Sequence, residues 1–344
     1  MILRFDLKKC LKLYHHEKLD PQVINPDGEK YAKSWIKFLL EVKRFSKPGF
    51  RTEFSFVDRT GAVPSIVKTH IFPEQQIPTG PPAQWNFFDI CMDRAKELLS
   101  TNKHITVMWS GGLDSTLALF SLMRQAQHPD QVSVQCTFES IIESGKIFDK
   151  YIKDSGIRVK FDQTRTVRHL PYSYDQEDPT QLYVNGGCGD QLFGKPVSLQ
   201  ISGNSSYTDP WYTGFAKDYL DMIEPSIKFS ERPINTVRDL RWWVFFNHTW
   251  STAMYDDLVG KPVHVCKRIH SFYTTPEFQR WAIHTPSYYE DQDKYRWPAK
   301  QALSQLIDYP YYIQHKTKSM GATWQYAPNW YMLDKNFNTY YVDP

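Results

Sequence analysis

The chain has 344 residues, room for about two domains at ~150 residues each, and a core of that size needs no disulfide staple. Lys and Arg total 41 against 38 Asp and Glu, a net charge of +3 that removes a broad basic nucleic-acid face as the default reading. Hydrophobic residues at 41% and charged residues at 23% exclude wholesale disorder, while an aromatic share of 15% points to thick aromatic packing or a large binding cleft.

The chain opens with MILRFDLKKC, where charge at Arg4, Asp6, Lys8 and Lys9 leaves no apolar run of signal-peptide length. No later stretch reaches membrane-spanning length, so no membrane partner is expected. Cys10, Cys91, Cys136, Cys188 and Cys266 are widely spaced and form no CxxC pair, which disfavours a zinc knuckle or disulfide framework and fits a reducing cytoplasm. Residues 1–84 read as a small α+β region. It holds a helix over 31–45, with Trp35, Phe38, Leu39 and Val42 on one stripe, and a hairpin over 54–72. The Pro/Gly-rich stretch 74–85 is the expected boundary, and 85–344 the second domain.

In that second domain the spacing of Phe88, Cys91, Ala95 and Leu98 predicts a helix over 87–99. The apolar run ITVMW (105–109) reads as a buried parallel strand, followed by a glycine turn and a helix over 116–125. Strands are predicted at 132–138, 158–161 and 182–187, with a helix over 145–156 closed by Gly156. Strands alternating with helices argue for an α/β fold built on a doubly wound parallel sheet. Beyond Trp211 the pattern is mostly helical and rich in Trp and Tyr, giving a helical C-terminal part. Trp242, Trp243, Trp250 and Trp281 are candidates to shape a substrate pocket, although core packing explains most such residues.

Between the first strand and its helix lies SGGLDST, comprising Ser110, Gly111, Gly112, Leu113, Asp114, Ser115 and Thr116. Two glycines let the backbone turn tightly and let phosphate oxygens approach main-chain N–H groups. The following helix adds its dipole and free donors, and the two serines add hydroxyls. Asp114 cannot face bare phosphate usefully and calls for an intervening cation, most simply Mg²⁺. The string is neither a Walker A loop, because GK[ST] is absent, nor GxGxxG.

SGGLDST resembles the PP-loop of the N-type ATP pyrophosphatases, which cleave ATP between the α and β phosphates. A second string, NGGCGDQLFG (185–194), resembles the GEGADELFGG motif of the synthetase domain of asparagine synthetases, also found in β-lactam synthetases and lasso-peptide cyclases. The resemblance covers about residues 85–320. It implies an adenine nucleotide alpha hydrolase-like sheet, ATP and Mg²⁺ as cofactors, Gly186 and Gly187 beside the nucleotide, and Asp190 as a metal ligand with Asp114. Gly187 stands where the family has glutamate, and Gln191 where it has a second acidic residue. The first departure puts the ordinary asparagine-forming amine chemistry in doubt. A weaker match at RWPAKQAL (296–303) and YPYYIQHKTKSMG (309–321) puts Arg296, Lys300, Lys316 and Lys318 on basic positions, with Lys318 on the lysine that meets pyrophosphate. Lys318, Lys316 and Arg296 are thus the candidate catalytic cations, needed because splitting ATP at the α-phosphate builds negative charge. The strand VSVQCTF fits the family's adenine-reading position, so Cys136, Thr137 and Phe138 are candidate adenine neighbours. Asp256 and Asp257 rank low as further acidic groups.

The leading region is far shorter than a glutaminase domain and has Ile2 where that domain's cysteine would follow Met1. The expected activity is therefore an AMP-forming ligase that joins a small-molecule or peptide carboxylate to an amine from another source. Two rivals are a PP-loop enzyme activating a carbonyl or nucleobase oxygen, and a degenerate ATP-binding scaffold. Missing paired cysteines argue against sulfur transfer, and the near-neutral charge argues against a large nucleic-acid footprint.

Overall fold

The computed structural model describes residues 25, 27, 28, 31, 57–64, 75–162, 180–194, 206–213, 220–255, 263–285, 296–316, 331–333 and 339–341. The expected helix at 31–45 lies outside these residues apart from Tyr31, and so do the flanks of the expected hairpin. The centre of that hairpin, 57–64, is a turn pinned by Asp58, whose carboxylate accepts hydrogen bonds from the Thr60 N–H and hydroxyl and from the Val63 N–H. Next to it, Arg59 is buried. Its guanidinium donates to the carbonyls of Gln75 and Phe246 and to the Gln279 side chain, and it lies 4.6 Å from the Trp250 ring centroid. Burial pulls its pKa down to about 9, so it stays charged at neutral pH.

The fold is α/β, with five strands in one all-parallel sheet. The first helix, α1 (Phe87–Leu99), is capped by Asn86, whose side chain accepts from the Phe88 N–H at 3.0 Å. Its buried face is Phe87, Ile90, Cys91, Ala95 and Leu98. The sequence pattern put Phe88 on that face. Phe87 takes the place because its ring joins Phe193, Phe278 and Trp281 in one aromatic cluster.

Strand β1 (His104–Met108) is buried along nearly its whole length and pairs on both edges. It leads into α2 (Leu113–Gln125), which begins three residues before the predicted 116, inside the glycine-rich string itself. A 3-10 turn, Pro129–Gln131, then enters β2 (Val132–Thr137).

Helix α3 (Phe138–Ile147) follows β2 at once and passes into a π turn, Phe148–Ile152, where periodicity placed a helix only over 145–156. The reason for the early start is Thr137, which forms a capping box with Ser140 and turns the last strand residue into a helix cap. The segment ends at Ile152, capped by Lys153, and not at Gly156, whose φ of +84° lies in the turn that leads on to the next strand. Next come β3 (Arg158–Asp162), β4 (Gln181–Asn185) and the short α4 (Gly189–Phe193).

The later chain is helical: α5 (Leu220–Ile227), α6 (Val237–Trp243) with its π turn Val244–His248, α7 (Trp250–Tyr255) and α8 (Val263–Cys266). A strand that periodicity missed, β5 (Ile269–Ser271), then pairs with β4. After it stand α9 (Pro276–His284), α10 (Trp297–Ser304) and α11 (Pro310–His315). An antiparallel pair, β6 (Tyr331–Leu333) and β7 (Thr339–Tyr341), closes the described chain.

Strand order is β3-β2-β1-β4-β5, compatible with a doubly wound sheet. The chain builds outward from β1 through β2 to β3, then crosses back to lay β4 on the other edge of β1. The carboxyl ends of β1 and β4 therefore flank the topological switch point, where open α/β sheets leave a crevice. Trp242, Trp243 and Trp250 are fully buried in the core. Among the described residues no helix is long and apolar enough to cross a membrane.

Candidate functional site

The loop after β1 is held by its own hydroxyls. Ser115 Oγ accepts from the Ser110 N–H at 3.1 Å and lies 3.0 Å from Ser110 Oγ. Thr116 Oγ1 donates to the Gly112 carbonyl at 2.7 Å and accepts from the Trp109 indole at 2.9 Å. No side chain caps α2 at Gly112, so the dipole end of that helix opens beside Ser110, which is solvent-exposed. Gly111 has φ +77°, and a Cβ there would lie 2.5 Å from the Ser140 carbonyl oxygen, so α3 packs hard against the turn. Ser144, the kinked residue inside α3, donates its hydroxyl to the Gly111 carbonyl at 2.7 Å.

On its other side the loop meets the second glycine string. A Cβ on Gly189 would fall 2.5–2.9 Å from the Asp114 carboxyl group, and one on Gly186 would fall 2.7 Å from the Ser115 nitrogen. The motif glycines are thus what lets the β1 and β4 turns touch. Cys188 sits between them at φ +64°, buried, with its thiol 3.8 Å from the Trp250 carbonyl. It fills a tight turn, as a small residue would, with the thiol directed into the core.

Asp114 and Asp190 converge on one cation. The Arg296 guanidinium is 3% exposed and gives one nitrogen to each carboxylate. Arg296 precedes α10, which packs on both α1 and α2, and its backbone is left-handed (φ 47°, ψ 42°). The candidate cation Arg296 is therefore in the site. Lys316 is also there, paired with Glu143 of α3. Burial pulls its pKa down to about 8, and the negative charge of Asp114 pulls the other way. Lys318, Asp256 and Asp257 lie outside the described residues. Lys300 is buried, and burial lowers its pKa.

Thr137 stands at the carboxyl end of β2 with its hydroxyl committed to capping α3, and Cys136 is buried beside it. Gly187 is hemmed in by Asn185 Oδ1, Ser271 Oγ and the Ala253 carbonyl, 2.9–3.2 Å from where a Cβ would stand. Gln191 is buried and donates to Thr249 Oγ1 at 3.2 Å, away from Asp190's partner. Both positions thus have a local packing account.

Two residues of the site escaped the sequence reading. Tyr273 donates its hydroxyl to the Asp114 carbonyl at 2.9 Å. Tyr312, on α11, brings a buried hydroxyl to Thr116 and Ser144, and burial pushes its pKa up to about 12. Tyr273 follows the three-residue β5 and Tyr312 lies in the six-residue α11, elements too short for a periodic signal. A separate cleft of about 420 Å³ opens between Trp85, Phe87, Trp281 and one face of α10. Phe87, which lines the cleft, stacks on Tyr273, whose hydroxyl reaches the loop at Asp114.

Two carboxylates that converge from two elements are a suitable donor set for Mg²⁺, a hard cation bound by one or two carboxylates with water and phosphate oxygens. Among the described residues no group of three or more His, Cys, Asp or Glu converges as a metal site. No protein-family model matches the chain, and no curated protein matches its sequence.

Proposed function

We propose that this chain is an ATP-dependent, AMP-forming carbon–nitrogen ligase of the asparagine synthetase-like type, working in the cytoplasm on an adenine nucleotide alpha hydrolase-like sheet. One observation supports this best: two glycine strings far apart in sequence meet at the switch point of the sheet, with Asp114 and Asp190 aimed at one position. A substrate carboxylate oxygen attacks the α-phosphorus of ATP, the bond to the bridging oxygen breaks, and pyrophosphate leaves. An amine then displaces AMP and loses a proton, giving the amide.

In this reading Ser110, Gly111, Gly112 and Ser115 bind the leaving pyrophosphate through hydroxyls and main-chain N–H groups. Leu113 and Thr116 hold the first turn of α2 in place. Arg296 and Lys316 carry positive charge beside the loop, where charge develops. Asp114 and Asp190 would hold Mg²⁺, which supplies charge neutralisation to the phosphates when bound. Gly187 leaves no carboxylate near the acyl group, so the amine is one that needs no such partner.

Incubating the chain with ATP, Mg²⁺ and panels of acids and amines should release AMP and pyrophosphate. Release of ADP and phosphate instead refutes the reading. Asp114→Ala should abolish turnover, and an Asp114→Ala variant with full activity removes that assignment. A second reading, an ATP-binding scaffold without turnover, draws on Gly187 and on Gln191 facing Thr249. Stabilisation by ATP with no pyrophosphate across all substrates would favour it.

A further inference from the structure

Asp114 and Asp190 are not simply a pair of acidic ligands. The guanidinium of Arg296 lies between them with one nitrogen on each, a planar fork that spans both carboxylates. The carboxylates retain some solvent contact, with side chains 19% and 27% exposed, whereas the arginine is 3% exposed. Arg296 is also one of three non-glycine residues with positive φ among the described residues. A left-handed backbone at a residue with a bulky side chain is costly and persists where the surroundings enforce it. Here α10, wedged against α1 and α2 through Ala299, Ala302 and Leu303, enforces it and aims the side chain at the two aspartates.

We propose that Arg296 is the built-in counter-cation of the Asp114–Asp190 pair and competes with a divalent cation for it. The guanidinium neutralises one of the two negative charges and holds the β1 and β4 turns together. A divalent cation takes the inner carboxylate oxygens only by displacing the arginine, whose charge is then released towards the phosphates beside Ser110 and Ser115. Metal binding by the chain alone is therefore weak, and binding of cation and nucleotide is coupled through one side chain. This rests on the reading of the site as one that takes ATP with a divalent cation, but its test needs no nucleotide.

Mn²⁺ alone is the probe, titrated into the full chain and followed by the loss of its free electron paramagnetic resonance signal. Arg296→Gln should bind Mn²⁺ about tenfold or more tightly than the wild type, because a unit charge in contact with both ligands has gone. Adding Asp114→Asn to that variant should abolish the gain. A folded Arg296→Gln that binds Mn²⁺ no better than the wild type overturns the proposal. If that variant does not fold by circular dichroism, Arg296→Met decides. It keeps an unbranched apolar stem but carries no charge, so a gain supports the proposal and no gain overturns it. Failure of the ligase reading would appear separately, as absence of AMP and pyrophosphate whatever Mn²⁺ does.

Discussion

Gly189 and Gly187 show how single residues set this site. A methyl group on Gly189 points into the Asp114 carboxyl group at 2.5–2.9 Å, and the obstacle is a carboxylate already tied to Arg296. Gly189→Ala should therefore cost about 1–3 kcal/mol, as overpacking does, and part the two turns. Urea unfolding should show the loss, and the ATP shift in a thermal scan that the proposed function requires should disappear. An unchanged ATP shift would mean that the two turns need not touch. Gly187 stands where the resembling motif carries a glutamate. Its surroundings leave a side chain little room, since Asn185, Ser271 and the Ala253 carbonyl enclose the position where a side chain would start. Gly187→Glu should thus destabilise the fold without creating an amine site, and a gain of ammonia-dependent amide formation would refute that account. Tyr312→Phe tests the third residue. Loss of a hydroxyl beside Thr116 and Ser144 should weaken ATP binding several-fold in calorimetry at about 1 kcal/mol or less in stability.

The boundaries of α2 and α3 show what sequence pattern can and cannot reveal about elements. Periodicity found α2 but started it at 116, because SGGLDST reads as turn chemistry while its last four residues form the first helical turn. The same pattern missed the first part of α3. ESIIES carries no clean stripe, and what begins the helix is a local hydrogen-bond exchange between Thr137 and Ser140. That early start matters, because it brings Ser140, Glu143 and Ser144 against the loop. Thr137→Ala should cost about 1 kcal/mol as a lost cap and speed amide exchange around Gly111, which hydrogen exchange would read. A cost with no change at Gly111 would mean that α3 does not brace the loop. Strand β5 was illegible for another reason. Three residues inside a helical stretch have no period, and only pairing with β4 makes them a strand. The glycine motifs were legible because turn chemistry is local, whereas Tyr273, Tyr312 and the Arg296 fork depend on contacts between distant segments.

At the scale of the whole molecule, the near-balanced charge of the chain conceals groups whose ionisation depends on being folded. His248 lies fully buried in the π turn after α6, and burial lowers its pKa, with Asp58 opposing. His270, on β5, is lowered by burial and then by Arg94 and Lys103. For both, the unfolded chain near 6.5 binds a proton more readily than the folded one. Well above 6.5 both states hold neutral imidazole and stability is unaffected. As pH falls through 6.5 the unfolded state gains protons first, so stability declines, by at most about 1.4 kcal/mol per pH unit for each histidine, until the folded pKa is passed. Urea midpoints measured at pH 7.3, 6.5 and 5.5 should therefore fall slightly between the first two and clearly at the third. His270→Gln should make the drop smaller without changing the value at pH 7.3 by more than its packing cost. A drop of the same size in that variant would exclude His270 as a source, and a level profile down to pH 5.5 would mean that neither imidazole is held neutral by the fold.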